Sequence, residues 1–192
     1  MKNFICFVIL LIFAAFVFFI GWTQIKVKPG TVGVVQSKTG GIDKKPVIPG
    51  KFSWHKEFLI PSNAKLNVFD VKPYNGTKTI NASRGGGNDF MFTFQISLAY
   101  DPLIIVDLLE ENKVSCQEDM EQYLDGAAAY LAQKAADYCI TRFSKEPLFS
   151  PESVTISELT SAVAFYKTYP EFDINVLAIT DYKLPYREEV IQ

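Results

Sequence analysis

The sequence predicts an α+β protein in which a single N-terminal transmembrane helix is followed by a β-rich lobe and an αβ lobe. Three observations lead to this prediction. The chain opens with an uncharged apolar run, Phe4–Trp22. Residues 24–80 then contain short β-type segments cut by turns, and from residue 101 onward apolar residues recur with helical spacing. The predicted domain boundaries are residues 1–23 for the anchor, 24–88 for the membrane-proximal β-rich lobe and 89–192 for the αβ lobe.

The apolar run has the length of a membrane span. As a helix its roughly 19 residues rise about 28 Å, close to the ~30 Å hydrocarbon core of a bilayer. Trp22 stands where an interfacial aromatic residue is expected, and Lys2, Lys26 and Lys28 flank the run. A cleaved signal peptide is the alternative, but it has a shorter apolar core and a small-residue cleavage site, which Phe18–Gln24 does not offer. We therefore expect an uncleaved, single-pass anchor.

The side of the membrane that carries the rest of the chain is left open by the sequence. Lys26, Lys28 and Lys38 outnumber Lys2, which favours a cytoplasmic domain under the positive-inside rule. Domains of this length are, however, also exported regardless of their charge.

The part that follows the anchor is predicted as strands and turns. A β-branched run at Thr31–Gln36 precedes a turn at Gly40 and Gly41, and the sequence Val-Ile-Pro-Gly at residues 47–50 marks another turn. The strands expected in this region are residues 31–36, 51–54, 58–60 and 65–71.

The clearest strand of the chain is expected at residues 89–100. Aromatic and aliphatic residues alternate there with smaller or polar ones, so one face, which includes Phe94, is expected to be wholly buried. The glycine-rich stretch before it, residues 83–89, is similar in composition to a phosphate loop. It lacks the Lys and Ser/Thr that follow the glycines of such a loop, and no helix follows. We therefore predict a hairpin connection.

Helical spacing begins after Asp101, which suits a helix cap, and Pro102, which suits a first turn. In the longest helix the apolar residues recur at intervals of three and four, and acidic residues lie in its first turn, as the helix dipole favours. The predicted elements are helices at residues 103–111, 117–143 and 150–166, a last strand at 173–182, and the first turns of a helix at 187–192.

Charge is divided unequally along the chain. Residues 26–87 hold eleven basic and three acidic residues, a net charge of +8, whereas residues 88–192 hold seven basic and eighteen acidic residues, a net charge of −11. Basic residues near a bilayer are attracted to anionic head groups by about 1 kcal/mol each, so we expect the basic half to face lipid. Two ordinary solvated surfaces are the alternative. The predicted membrane-interface residues are Trp22, Lys26, Lys28, Lys44, Lys45 and Lys51.

Groups that could perform catalysis are few. The best enzymatic arrangement is Cys116 or Cys139 as a thiol nucleophile with His55, the sole histidine. Cys139 is more typical of a small core residue because of its helical spacing from Ala135 and Phe143. No nucleotide loop, Gly-x-Ser-x-Gly motif or metal-ligand spacing is present. We therefore expect no catalytic residue, no cofactor, no metal and no nucleic acid partner, and leave open whether Cys116 and Cys139 pair.

Five local patterns follow one another along the chain. They are a strand at residues 27–35 directly after the anchor, the glycine turn at 40–41, the Pro-Gly turn at 47–50, the strand at 89–100 that ends in Tyr-Asp-Pro, and a closing strand at 174–176 with Leu-Pro at 184–185. In this order and spacing they resemble the SPFH (band 7, prohibitin-homology) family over about residues 20–190. Stomatins, prohibitins, flotillins and bacterial membrane-protease modulators share this domain.

The resemblance implies a non-catalytic membrane scaffold with an SPFH-like β-rich lobe and αβ lobe. Such a scaffold self-assembles at the membrane, alone or with other SPFH-type subunits, organises lipids or membrane proteins, and in some members modulates a membrane protease. Two departures are visible: the usual Ala- and Glu-rich coiled coil does not follow, and Phe172-Asp173 replaces the glycine before the last strand. The missing coiled coil puts the usual ring or cage in doubt. A monomeric, membrane-tethered binding module is the alternative, because a fold does not fix a function.

Overall fold

A computed structural model describes residues 2–60, 62–83, 89–146 and 148–185, with the backbone alone at Lys2 and Trp22. It shows a mixed α+β fold with an N-terminal apolar helix and β-sheets, as the sequence predicts. Two compact units are present, each built from two segments of chain. The first unit comprises the residues up to Val71 together with Pro102–Met120, and the second comprises Lys72–Asp101 together with the residues from Glu121 onward. The domain boundaries expected at residues 23 and 88 stay a prediction.

The first unit contains a three-stranded antiparallel sheet whose central strand is β2, Thr31–Ser37. This strand forms because its β-branched valines fit a pleated, covered surface, and Val32, Val34 and Val35 are buried. Its neighbours across the sheet are β3, Gly41–Ile42, and β5, Ala64–Asp70. The strands predicted at residues 31–36 and 65–71 are therefore confirmed to within one residue at each end.

A second sheet in this unit lies next to the apolar helix. The helix α1, Lys2–Trp22, is followed almost at once by β1, Gln24–Ile25, which pairs antiparallel with β4, Ser53–Trp54. The strand expected at residues 58–60 is wrong, since Lys56–Leu59 forms a 3-10 helix instead. The turn closes because the Phe58 N–H donates to the His55 carbonyl at 3.3 Å.

The first unit is completed by a helix from later in the chain. Helix α2, Ile104–Glu110, lies against β3 and buries Ile105, Val106, Leu108 and Leu109. It confirms the short helix predicted at residues 103–111. The long helix α3, Gln117–Lys145, confirms the helix predicted at 117–143; it begins in the first unit and continues through the second.

The second unit is organised around β7, Asp89–Ala99, the central strand of a sheet in the order β6-β7-β8. Its neighbours are β6, Tyr74–Ser83, and β8, Asp173–Lys183, and both pairings are antiparallel. The strands predicted at 89–100 and 173–182 are confirmed to within one residue at each end. Along β7 the buried residues are Phe90, Phe92, Phe94, Ile96 and Leu98, so the alternation read from the sequence does place one face in the core.

The core of the second unit joins this face of β7 to helix α3. Phe143 on α3 meets Phe90 edge to face, with the ring centroids 5.6 Å apart, a geometry that aromatic pairs favour. The small residues Ala128, Ala132 and Ala136 on the same helix are fully buried, as close approach of another element requires.

The single third helix predicted at residues 150–166 is wrong, because the segment is broken into three pieces. Pro151–Ser153 forms a 3-10 turn, α4 covers Ile156–Val163 and α5 covers Phe165–Thr168. A new helix begins at α4 because Thr155 forms a capping box with Glu158. It ends because Ala164 adopts a left-handed conformation with φ 50°, which a helix interior excludes. The predicted hairpin connection at 84–88 and the helix start at 187–192 lie outside the described residues.

The burial of Phe94 leads to a prediction about stability. Phe94→Ala should lower the free energy of unfolding by about 3–5 kcal/mol, because it removes a fully buried aromatic side chain and leaves a cavity. Leu148→Ala is the matched control, since Leu148 is 98% exposed, and it should change stability by less than about 0.5 kcal/mol. Urea unfolding of the detergent-solubilised full chain, read by pulse proteolysis, measures both. A loss below about 1 kcal/mol for Phe94→Ala would mean that the core does not depend on this face of β7.

Candidate functional site

The N-terminal helix has the length and composition of a membrane span. Asn3–Gly21 is the one helix among the described residues that is long and apolar enough to cross a bilayer, and each of its side chains is exposed. A signal sequence near an N-terminus meets the same two criteria. The end of this helix is joined to the residues that follow by specific hydrogen bonds.

Thr23 connects the end of the helix to a distant segment of the first unit. Its side chain is fully buried, and Oγ1 lies 3.1 Å from the Phe19 carbonyl and 3.2 Å from the Ile20 carbonyl, so it satisfies backbone groups of the last turn. The Thr23 carbonyl in turn accepts a hydrogen bond from the His55 N–H at 3.4 Å. The sequence around His55 is thereby attached to the point where the helix ends.

The pairing of β1 with β4 continues this attachment. Gln24 faces Trp54, and Ile25 faces Ser53. Paired strands lie about 4.8 Å apart, so β4 runs directly beside the two residues that leave the helix. If α1 spans a bilayer, β4 and the residues next to it lie close to the head groups.

His55 holds this region together through both of its ring nitrogens. The imidazole is buried; Nδ1 lies 3.1 Å from Asp43 Oδ2, and Nε2 lies 2.7 Å from Ser53 Oγ. A carboxylate only accepts hydrogen bonds, so Nδ1 donates to Asp43, and Nε2 forms its hydrogen bond with the Ser53 hydroxyl. Both polar atoms of a buried ring are thus satisfied, as stability demands. The order Ser-His-Asp is also that of an acid–base relay.

Large apolar side chains are exposed around this buried core. Phe52 is 69% exposed, Trp54 is 46% exposed and Ile60 is 63% exposed, and Leu59 beside them is also exposed. Exposed apolar residues that occur singly need no explanation, but these four lie within nine residues of sequence, and such a group is typical of an interaction surface. Aromatic rings with a polar edge, such as Trp54, are typical of the interface between water and lipid.

Exposed lysines accompany these apolar residues. Lys26 and Lys28 follow the helix, and Lys44, Lys45 and Lys51 lie in the loops before β4; all five are exposed. The side chain of Trp22, the sixth predicted interface residue, lies outside the described residues. Lys56, which the sequence reading did not single out, is exposed as well. That these residues contact lipid stays a prediction.

Three of these lysines line an open pocket with a volume of about 580 Å³. Its walls come from two stretches of the first unit, residues 43–48 and 51–57, and they include Lys45, Lys51 and Lys56. The exposed rings of Phe52 and Trp54 and the Asp43–His55–Ser53 group line the same pocket. Basic, aromatic and buried polar groups therefore meet in a single place.

The structure does not bring His55 together with either of the cysteines that the sequence suggested as its nucleophilic partner. His55 is engaged by Asp43 and Ser53, so its two ring nitrogens serve neither cysteine. Cys6, Cys116 and Cys139 are free cysteines in the structure. Burial raises the pKa of the Cys139 thiol to about 11, and a thiol that is scarcely ionised at neutral pH is a poor nucleophile. In the part of the chain that is described, no group of three or more His, Cys, Asp or Glu side chains could hold a metal ion.

The Asp43–His55–Ser53 group was missed by sequence reasoning. Ser53 and His55 are two residues apart, so period-two spacing could have placed them on one face of a strand. Asp43 comes from a separate loop, and no local pattern connects it to His55.

No family model matches this chain. An uncharacterized protein of Treponema pallidum (strain Nichols) is 26% identical over 183 residues, which cover 86% of this chain and 61% of that protein. The chain therefore spans about three fifths of the length of this curated relative.

The helix and its attachment lead to a prediction about the membrane. After an alkaline carbonate wash, the full chain should stay in the membrane pellet with its N-terminus intact, because Asn3–Gly21 is long enough to span the bilayer. N-terminal sequencing together with fractionation measures this. Ile12→Arg combined with Phe13→Arg should release the chain, since each charge at the centre of a span costs about 2.5–3.5 kcal/mol. A soluble mature chain that begins after Trp22 would show instead that the helix is a cleaved signal.

Proposed function

We propose that this protein is a non-catalytic, membrane-anchored scaffold of the SPFH (band 7) type, which self-assembles at the membrane and organises lipids or membrane proteins. The observation that carries the proposal is the junction at Thr23. There the apolar helix passes into a small sheet whose neighbouring residues are basic, apolar and exposed. Such a surface suits a domain held against lipid on its own anchor.

The SPFH assignment rests on the order of local patterns in the sequence. The strand after the anchor, the two glycine-containing turns, the strand that ends in Tyr-Asp-Pro and the closing strand with Leu-Pro follow each other as in that family. The proposed lobes are the β-rich residues 24–88 and the αβ residues 89–192. The basic residues next to the anchor favour anionic lipid as one partner. By the resemblance, the other partners are SPFH-type subunits and a membrane protease that the scaffold modulates. A monomeric, membrane-tethered binding module is the alternative.

The sheet of the second unit offers a means of assembly that needs no coiled coil. In the order β6-β7-β8 both outer strands are edges, ten and eleven residues long. An edge strand presents unpaired backbone N–H and C=O groups that can pair with a strand of another chain. Because β6 and β8 both run antiparallel to β7, they point in the same direction. Parallel pairing of β8 in one copy with β6 in an equally oriented next copy would extend the sheet laterally.

This mode of assembly leads to a prediction. Chemical cross-linking in native membranes should yield oligomers of the full chain, and Val176→Lys should reduce them, because a lysine on an edge strand disfavours pairing. Leu148→Lys is the matched control: it also places a lysine at an exposed apolar position, but outside the sheet, and should leave the oligomers unchanged. A chain that remains monomeric in native membranes would support the tethered binding module instead.

The Asp43–His55–Ser53 group favours a second candidate function, that of a serine hydrolase, because its order and distances match an acid–base relay. The scaffold proposal makes the opposite prediction. A fluorophosphonate probe should not label the full chain in membranes, since the hydrogen bonds of His55 serve to fix the loops around it. Labelling that is lost in Ser53→Ala and retained in Ser157→Ala, a control at an exposed serine, would establish the hydrolase and overturn the non-catalytic proposal.

A further inference from the structure

The pocket in the first unit combines the three features that a phosphate group on a lipid requires. These are several ammonium groups within reach, apolar surface beside them, and a position at the depth of the head groups. The third feature rests on the proposed membrane anchor, whereas the first two belong to the pocket itself.

The ammonium groups come from Lys45, Lys51 and Lys56. All three are exposed, all three line the pocket, and none has an ion-pair partner within the described part of the chain. Two carboxylates, those of Asp43 and Glu57, also line it. The Asp43 oxygens accept hydrogen bonds from the His55 ring at 3.1 Å and from the Lys45 backbone N–H at 2.9 Å, so the three lysine ammonium groups remain available. Ammonium groups bind phosphate oxygens through charge-assisted hydrogen bonds.

The apolar surface comes from the two most exposed rings near the pocket. Phe52 and Trp54 are 69% and 46% exposed and line the same walls as the lysines. A soluble anion would leave both rings in water. A lipid would cover them with its glycerol and upper acyl region, which removes apolar area from water and is favourable in proportion to that area.

The position of the pocket follows from the covalent and hydrogen-bonded path to the helix. Trp54 pairs with Gln24, two residues after α1 ends, and the His55 N–H donates to the Thr23 carbonyl. The pocket wall is therefore one strand spacing, about 4.8 Å, from the residues that leave the membrane span. Lipid phosphates lie at this level of a bilayer, next to the hydrocarbon core.

We propose that this pocket binds the phosphate group of an anionic lipid, with Lys45, Lys51 and Lys56 around the phosphate and with Phe52 and Trp54 against the adjoining glycerol and acyl groups. Binding of this kind differs from a diffuse attraction between a basic surface and an anionic bilayer. It is confined to one pocket, and it depends on which lysines are present rather than on how many.

Trp54 provides the reporter for the test. The chain has two tryptophans, Trp22 and Trp54, so the full chain with Trp22→Phe fluoresces from Trp54 alone. This chain is reconstituted in two kinds of phosphatidylcholine nanodisc. One contains phosphatidic acid with brominated acyl chains, and the other contains brominated phosphatidylcholine at the same mole fraction. Bromine quenches tryptophan on contact. Phosphatidic acid should quench Trp54 with at least about tenfold higher apparent affinity, because its phosphate group carries the net negative charge that the three ammonium groups bind.

Two charge-matched variants separate the pocket from its surroundings. Lys45→Gln/Lys51→Gln/Lys56→Gln should abolish the preference for phosphatidic acid. Lys38→Gln/Lys65→Gln/Lys167→Gln removes the same charge from exposed lysines that neither line this pocket nor belong to the predicted interface residues, and it should retain most of the preference. Equal loss in both variants would overturn the proposal in favour of diffuse attraction.

A competition experiment distinguishes a lipid phosphate from a soluble phosphate compound as the ligand of the pocket. Inorganic phosphate added to the brominated phosphatidic acid nanodiscs should relieve the quenching no more than sodium chloride of equal ionic strength. Relief by phosphate alone would overturn the assignment to lipid and identify a soluble phosphate compound as the ligand. If both brominated lipids quench Trp54 equally in the chain that keeps Lys45, Lys51 and Lys56, the proposed phosphate-binding pocket is ruled out, whereas the membrane anchor is not. A chain that does not enter the nanodisc would overturn the anchor and this inference together.

Discussion

The hydrogen bond from the His55 N–H to the Thr23 carbonyl, together with the β1–β4 pairing, is the contact on which the organisation of the first unit depends. An α-helix satisfies its own backbone along its length but leaves its last carbonyls without intrahelical partners. Here the side chain of Thr23 occupies two carbonyls of the final turn, and its own carbonyl is occupied by His55. The end of the helix is thus connected to a folded segment by specific bonds, in addition to the covalent chain.

The burial of His55 beneath exposed rings is explained by the same arrangement. Desolvation of an imidazole is costly unless both nitrogens are hydrogen-bonded, and Asp43 and Ser53 supply those bonds. In water, exposure of Phe52 and Trp54 would be unfavourable without a partner. If α1 spans a bilayer, lipid is the nearest apolar phase to these side chains. A membrane next to this region would explain why its buried side chains are polar while its exposed rings are apolar.

Much of the secondary structure could be predicted because its pattern is local. The alternation along β7 identifies both the strand and its buried face, and the three–four spacing identifies α3. The broken third helix could not be predicted, because nothing in the residue type of Ala164 indicates a left-handed conformation. Of the candidate site, the exposed lysines are visible as charge near the anchor. The Asp43–His55 contact is not, because it joins two loops whose approach is set by tertiary structure.

The division of the first unit into two stretches of chain affects when it folds during synthesis. Residues 72–101, which belong to the second unit, lie between its two parts. The buried side chains of α2 reach the first unit only after this interval has been translated. At about 5–20 residues per second, the apolar N-terminal helix leaves the ribosome several seconds before the unit attached to it is complete. Helix α1 and the residues that join it at Thr23 are therefore complete while the first unit still lacks α2.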